Sequence, residues 1–285
     1  MDLNIAALHP FIRQALIEDV GDGDHTSLST IPQGLQGRAK LLIKDTGILA
    51  GVSVALEIFK IVDPALTIEV HIHDGEPVSP GDIAFYINGS VHSILIAERL
   101  VLNTMQRMSG IASTTNKVVK LLEGTKTKVL DTRKTTPGMR YLEKLAVKIG
   151  GGVNHRFGLY DMILIKDNHV DYAGGTAKAI EAAKSYLKTK NLDIPIEIEV
   201  RNIAEITEVL NSSGVDRILL DNFTFEKLKE AVTLINKRFI TEASGGITED
   251  NVLEYAQCGV DYVSMGALTH SVKSLDMSLK ATQSN

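Results

Sequence analysis

The sequence predicts an α/β fold in two parts, the second a (β/α) barrel with its site at the carboxyl ends of the strands. Three observations predict it. At about 150 residues per domain, a chain of 285 residues makes two domains. From Thr127 onward, short apolar strands alternate with helical segments, and each strand ends in a polar residue or a glycine turn. The strand ends Glu199, Asp221, Ser244 and Ser264 are 22, 23 and 20 residues apart, which accommodates one strand, one helix and two short loops. Polar residues at the carboxyl ends of repeated β-α units describe a barrel and its active face. A doubly wound open sheet shares the alternation and stands as the alternative.

The elements follow in order. Pro10–Asp19 reads as a short amphipathic helix with Phe11, Ala15 and Leu16 on one side, and Gly21–Ser27 as a loop. Arg38–Ile43 and Leu66–Ile72 alternate as strands do, with a helix at Ser53–Val62 between them. Asp74–Ile83 is rich in turn residues and leads to a strand at Ile83–Ile87. From Ile94 the period lengthens. Ala97, Val101, Met105 and Met108 form a helical stripe, and Arg99, Asn103 and Gln106 take another face. A second helix carries Ile111, Thr115, Val118 and Leu122. The barrel strands then begin. Lys128–Leu130 ends at Asp131, Met162–Ile165 at Lys166, and Ile196–Ile198 at Glu199. Ile218–Leu220 ends at Asp221, Phe239–Ala243 at Ser244-Gly245-Gly246, and Tyr262–Ser264 at Met265-Gly266.

Composition narrows the function classes. Apolar residues are 44% and charged residues 23%, ordinary globular values that exclude disordered, fibrous and membrane proteins. The net charge of −5 argues against a general nucleic-acid or anionic-membrane binder. One cysteine, Cys258, excludes a disulfide framework or Cys-rich zinc site and fits a reducing cytoplasm. The start Met1-Asp2-Leu3-Asn4 lacks the basic and apolar runs of a signal peptide. Between Arg133 and Lys166 the balance reverses, with seven basic residues against two acidic. A basic island in an acidic protein predicts a small, multiply anionic ligand. Within it Arg140, Lys144 and Lys148, spaced by four, read as a solvated helix face.

Three groups of residues carry candidate chemistry. Ser244-Gly245-Gly246 and Ser264-Met265-Gly266-Ala267 follow the last two strands, where glycine lets backbone N–H groups approach a phosphate. Asp131, Glu199 and Asp221 end three strands and could hold ribose hydroxyls or a hydrated Mg²⁺, although each could also cap its strand. Arg133, Lys134, His155, Arg156 and Lys166 form the cationic group. Arginine binds carboxylates bidentately and lysine suits phosphate oxygens. The run Gly150-Gly151-Gly152 before His155-Arg156 lets backbone come close to a ligand. His71 and His73 have a metal-like spacing but no third ligand in view, and read as a surface strand. Gly75–Ile83 looks like the turn of lipoyl or biotinyl carriers without their lysine hairpin.

These motifs together resemble the quinolinate phosphoribosyltransferase family over nearly the whole chain. The resemblance rests on Ala97-Glu98-Arg99, Ser109–Ala112, Asp131–Thr135, Gly152–Arg156, Lys166–His169, Ile198–Val200, Leu220–Asn222, Ser244–Gly246 and Ser264–Gly266. It implies a sandwich-like α/β domain over 1–112, an incomplete barrel over 113–271, and a tail at 272–285 packing back on the first domain. It implies quinolinate and phosphoribosyl pyrophosphate as substrates, Mg²⁺ as cofactor, and a homodimer or higher oligomer in which Arg99 crosses to the neighbouring site. It further implies catalytic roles for Lys134, Lys166, Glu199 and Asp221, and metal binding by the last two through water and phosphate. Thr132, Arg133, His155, Arg156 and Arg99 would bind the acid, and Ser244–Gly246 and Ser264–Ala267 the 5′-phosphate with His270 nearby. Three other readings stay open here: a phosphoribosyltransferase for another aromatic acid, a Schiff-base aldolase using Lys166, and a non-catalytic carrier.

Overall fold

The structure is a computed structural model and describes residues 3–282. Met1-Asp2 and the last three residues of the 272–285 tail lie outside the described residues. The chain opens with α1 (Ile5–Val20), α2 (His25–Thr30), β1 (Gln36–Ile43), β2 (Gly47–Ile48) and α3 (Val52–Val62). Next come β3 (Thr67–Val70), β4 (Pro77–Val78), β5 (Ile83–Ser90) and α4 (Val91–Leu121). β6 (Lys128–Leu130), α5 (Arg140–Ile149), β7 (Ile163–Ile165), α6 (Asp167–Ala173) and α7 (Thr176–Lys190) follow. Then β8 (Ile196–Val200), α8 (Ile203–Leu210), β9 (Arg217–Asp221), α9 (Phe225–Ile235) and β10 (Ile240–Ser244) alternate. The chain closes with α10 (Val252–Gln257), β11 (Tyr262–Ser264), α11 (Ala267–His270) and β12 (Met277–Thr282).

Among the described residues, one compact unit is 3–116 with 135–151 and 268–282. Its sheet runs β12-β1-β5-β3, antiparallel throughout, with Leu41 opposite both Leu279 and Phe85. Ala39, Leu41 and Ile43 alternate into the core along β1, the period-two pattern of a half-buried strand. Phe59 of α3 meets Phe85 of β5 edge-on at 5.9 Å. The stripe of α4 is buried as read, with Ala97, Val101, Met105 and Met108 at 0% exposure, while Arg99 and Asn103 on the same helix are exposed.

Sequence and structure part company at four places here. α1 begins five residues before Pro10, and its buried side is Leu8 and Ile12, with Phe11, Ala15 and Leu16 half-buried. The expected loop runs into α2 from His25, because the Asp24 side chain accepts the Ser27 N–H and caps a short helix. The two helices expected on either side of Ser109-Gly110 are one helix, α4. Gly110 is not a break but a close approach, since a Cβ there would strike the Lys273 carbonyl. Finally, Lys144 is buried at 2% exposure, not solvated. Helix α5 turns that side inward, and Glu143 beside it is buried and takes two hydrogen bonds from Arg107, at 3.1 and 2.9 Å.

The second unit is Lys117–Lys134 with Gly152–Ala267. Its six parallel strands run β6-β11-β10-β9-β8-β7. Every neighbour is consecutive in sequence except the pair β11-β6, which joins the last strand to the first. That cyclic order is a barrel with one opening, between β6 and β7. It replaces the doubly wound alternative, whose strand order would reverse at a switch point. Val153 sits at the opening as a one-residue bridge to Leu130. The strands are buried on both sides, so their odd and even residues face helices and lumen in turn.

Gly110→Ala tests the continuous helix. Pressing a methyl onto the Lys273 carbonyl should cost about 1–3 kcal/mol of stability in spite of alanine's better helix propensity. Urea unfolding measures this, and an unchanged or raised midpoint would refute the close approach.

Candidate active site at the strand ends

The lumen of the barrel unit is polar in two levels. Alternation along β8 puts Glu197 and Glu199 on one face, along β9 Arg217 and Asp221, and along β10 Glu242 and Ser244. The upper level is at the carboxyl ends. There Lys166 Nζ lies 3.7 Å from a Glu199 oxygen. Burial, with Asp221 close enough to add its charge, pushes the Glu199 carboxyl above its ordinary range against the pull of Lys166. Asp221 accepts hydrogen bonds from Ser244 Oγ and from Asn222 Nδ2, both at 2.5 Å.

Asn222 stands at φ 55°, and its N–H donates to the Ser244 carbonyl at 2.9 Å. Gly245 packs so tightly on it, at φ 95°, that a Cβ would strike the Asn222 side chain. These contacts shape the Ser244–Gly246 turn. On the next strand Ser264 Oγ reaches toward the Ala243 carbonyl at 3.5 Å, and the Met265 N–H donates to the Leu130 carbonyl at 3.0 Å. Gly266 and Ala267 continue that turn, half-buried.

The cations gather after β6 and before β7. Arg133 and Lys134 are exposed, and the Thr132 hydroxyl accepts the Lys134 N–H at 3.0 Å. The Arg156 guanidinium donates to the Met162 carbonyl at 3.2 Å. Burial, and the charge of nearby Arg133, draw Arg156 below its ordinary pKa, the mark of two like charges sharing one partly desolvated place. Asp131 is fully buried and anchors this segment. It accepts Asn154 Nδ2 at 2.6 Å and the His155 N–H at 2.8 Å. Asp161 does the same for the N–H groups of Phe157 and Gly158, at 2.6 and 2.9 Å.

His155 differs from the other cations. Its side chain is only 7% exposed and faces the lower level of the lumen, with Nε2 at 3.0 Å from Glu197 and 3.4 Å from Glu242. Arg217 completes that level, 2.9 Å from Glu242 and 3.9 Å from Glu197. Burial and the charge of Glu242 push the Glu197 carboxyl up, while hydrogen bonding to His155 holds that of Glu242 down against burial. The oxygens and nitrogen of His155, Glu197 and Glu242 lie within 4.8 Å of one another, as metal ligands do. Arg217 already supplies the positive charge there. Sequence reasoning missed Glu197, Glu242 and Arg217. The available signal was a charge inside a strand buried on both faces, two residues before the strand-end polar group for Glu197 and Glu242 and four before it for Arg217.

Arg99 and His270 belong to the first unit. Both are exposed, and His270 Nδ1 lies 2.5 Å from Ser271 Oγ. His71 pairs with Glu69 at 3.4 Å and meets Tyr86 edge-on. Among the described residues no helix is long and apolar enough to cross a membrane.

Comparison with known proteins is consistent along the chain. The domain family described as quinolinate phosphoribosyl transferase, N-terminal domain, matches residues 24–109, and the C-terminal domain of the same name matches 111–280. A relative in Nicotiana tabacum, quinolinate phosphoribosyltransferase (decarboxylating) 1b, is 48% identical over 94% of this chain and 81% of its own. The crystal structure of NadC from Streptococcus pyogenes superposes with a TM-score of 0.92 at 39% identity, covering 99% of this chain and all of that one. The nicotinate-nucleotide pyrophosphorylase of Francisella tularensis superposes with a TM-score of 0.92 at 37% identity, over 99% and 98%.

Asp131→Ala should release the Asn154–His155 segment, since it removes the carboxylate that accepts from both, at a cost of about 1–3 kcal/mol. Hydrogen exchange checks it. Amides of 154–158 should lose protection while those of β8 to β10 keep theirs, and unchanged protection would refute the anchor.

Proposed function

The chain belongs to the quinolinate phosphoribosyltransferase family, and from that premise we propose how its residues divide the work. The reaction joins the ring nitrogen of quinolinate to the ribose of phosphoribosyl pyrophosphate, with loss of pyrophosphate and carbon dioxide, giving nicotinate mononucleotide for NAD biosynthesis. Ribosylation precedes decarboxylation, because the 2-carboxylate leaves readily only once the ring nitrogen is positive.

The observation that carries the assignment of the acid site is the pair Arg133 and Arg156, set so that burial and the charge of Arg133 draw Arg156 below its ordinary pKa. A dianion such as quinolinate relieves that repulsion, and each guanidinium can take a carboxylate bidentately. Thr132 orients the Lys134 backbone beside them. Lys134 and Lys166 meet the negative charge that grows on the leaving pyrophosphate. Glu199 and Asp221 face the positive charge that grows on the ribose. Ser244–Gly246 and Ser264–Ala267 take the 5′-phosphate on backbone N–H groups, with His270 nearby by family resemblance.

Mg²⁺ is the cofactor assigned to this reading. Glu199 and Asp221 fit it, being oxygen ligands on adjacent strands, with the charge of Asp221 already acting on Glu199. When bound, the ion neutralises pyrophosphate charge. The working form is a homodimer or larger homo-oligomer in which Arg99 completes the neighbouring subunit's acid site. Its support is an exposed arginine on a helix whose opposite stripe is fully buried. The single buried thiol suits a reducing, cytoplasmic setting.

The assignment is tested by comparing acids. Nicotinate lacks the 2-carboxylate and leaves part of the cationic pocket unpaired, a penalty of about 2–5 kcal/mol. Its kcat/KM should fall accordingly, and comparable turnover of the two acids would refute the Arg133–Arg156 grip. For Arg99, subunits carrying Arg99→Ala are mixed with subunits carrying Lys134→Ala, each inactive alone. With a shared site, a mixed dimer has one site bearing both lesions and one bearing neither, so activity returns. Mixed dimers as inactive as their parents would show that Arg99 does not act across the interface.

A further inference from the structure

We propose that Arg107 and Glu143 are positioning residues for the phosphoribosyl donor, one buried ion pair that holds both the segment carrying Lys134 and the segment carrying His270. The inference rests on the reading of Lys134 and His270 as the groups that meet the pyrophosphate and the 5′-phosphate of that substrate.

The pair belongs wholly to the first compact unit. Glu143, on α5, is 0% exposed and accepts at both of its oxygens. Oε1 takes Nε and Nη2 of Arg107, from α4, at 3.1 and 2.9 Å. Oε2 takes the backbone N–H of Thr136 at 3.1 Å, two residues after Lys134. A further bond from the same helix reaches the residue between them, with Arg140 Nε donating to Thr135 Oγ1 at 3.0 Å. The chain that leaves Lys134 is thus fixed from α5. Arg107 serves the other segment as well. Its Nη2 also donates to the Thr269 carbonyl, and its Nη1 reaches the Val272 carbonyl at 3.5 Å. Those two carbonyls bracket the exposed His270.

Lys134 lies on a loop and His270 on a helix of four residues, which is too short to hold itself. Each therefore needs support from outside its own segment. A planar guanidinium with five donors in a fixed fork can serve a carboxylate and two carbonyls at once. Two segments tied to one such pair cannot shift independently, which suits a substrate that carries a phosphate at each end. A buried ion pair is a poor source of stability compared with an apolar one. This pair spends its outward bonds on main chain beside two groups assigned to phosphates, which accounts for its presence under helices that could have packed on leucine. Misplacing such groups by an ångström is enough to lose much of the rate.

The test uses the full chain, with thermal unfolding and steady-state kinetics in which each substrate is varied. Arg107→Met combined with Glu143→Leu replaces the pair by apolar side chains, an exchange that often leaves stability unchanged or raised. The melting temperature should hold, yet kcat/KM for phosphoribosyl pyrophosphate should fall roughly thirtyfold. The KM for quinolinate should stay within about threefold, because Arg156 keeps its bond to the Met162 carbonyl. Glu143→Gln can accept at only one of its two positions and so gives up either Thr136 or Arg107. It should show the same split between substrates. Should the apolar pair not fold, Glu143→Gln and Arg107→Lys, which keeps charge without the fork, carry the test. Ordinary kinetics in the folded variants, or losses shared equally by both substrates, would overturn the proposal alone. So would losses that track the fall in melting temperature from variant to variant, the mark of a merely structural pair. Lys134→Ala and His270→Ala enzymes with ordinary kcat/KM for phosphoribosyl pyrophosphate would overturn the reading of the site and the proposal together.

Discussion

Carboxylates inside a barrel must be matched by cations, and much of the barrel unit follows from that constraint. Glu197 and Glu242 are buried almost completely, and taking a carboxylate out of water costs several kcal/mol even after relaxation. The cost is tolerable only because Arg217 stands within ion-pair distance of both and the His155 ring presents Nε2 to each. That requirement brings the Asn154–Arg156 segment down onto the lumen. Once His155 is seated, the backbone around it has only one course, and Asp131 takes its two nearest donors. The placement of the cationic loop is thus a consequence of charge balance several ångströms below it.

The same device recurs on the other side of the barrel opening. The Lys166 N–H donates to Nδ1 of His169 at 2.9 Å, just as the Arg156 N–H donates to Nδ1 of His155 at 2.6 Å. A loop cation is mobile by default, because its side chain has many rotamers and its backbone lacks a strand partner. An imidazole that accepts its N–H fixes the Cα–Cβ vector and leaves the charged end available. In the motifs His155-Arg156 and Lys166-Asp167-Asn168-His169, the histidine serves the main chain of its cationic neighbour.

The strand ends were legible because an apolar run terminated by a polar residue has one meaning in a parallel sheet buried on both faces. Glu199, Asp221 and Ser244 stand at the ends of their strands, and the spacing between them was enough to predict β-α units. The lower level was not legible, although Glu197 and Glu242 lie two positions upstream and Arg217 four. Ile196-Glu197-Ile198-Glu199 reads equally as a half-exposed antiparallel strand, and only the cyclic strand order shows that its second face is a lumen. The continuity of α4 failed to show for a related reason. Ser109-Gly110 is a helix break by propensity, and the close approach that demands glycine there is a tertiary fact. Lys144 was misread because spacing by four marks one side of a helix without saying which way that side turns. Fold class and the rim of the site are local, periodic properties of the chain, whereas these three depend on partners distant in sequence.

Strand order also explains how the charges divide. The barrel opening lies between β6 and β7. Arg133 and Lys134 follow β6, Lys166 follows β7, and Arg156 lies on the segment between them. All the cations of the site therefore border the opening, where the chain is loop and a planar anion can be surrounded by adjustable side chains. Glu199, Asp221 and the two glycine turns lie on β8 to β11, which are paired without interruption. Backbone N–H groups that are to hold a phosphate must not move, and continuous strand pairing provides that rigidity. In the proposed division of roles, opposite charges on opposite arcs leave the bond between base and sugar to form where the two arcs meet, with the developing charge on each side facing residues of the opposite sign. A closed eight-stranded barrel would carry both arcs on rigid strands, whereas the opening between β6 and β7 leaves the cationic arc on adaptable loops.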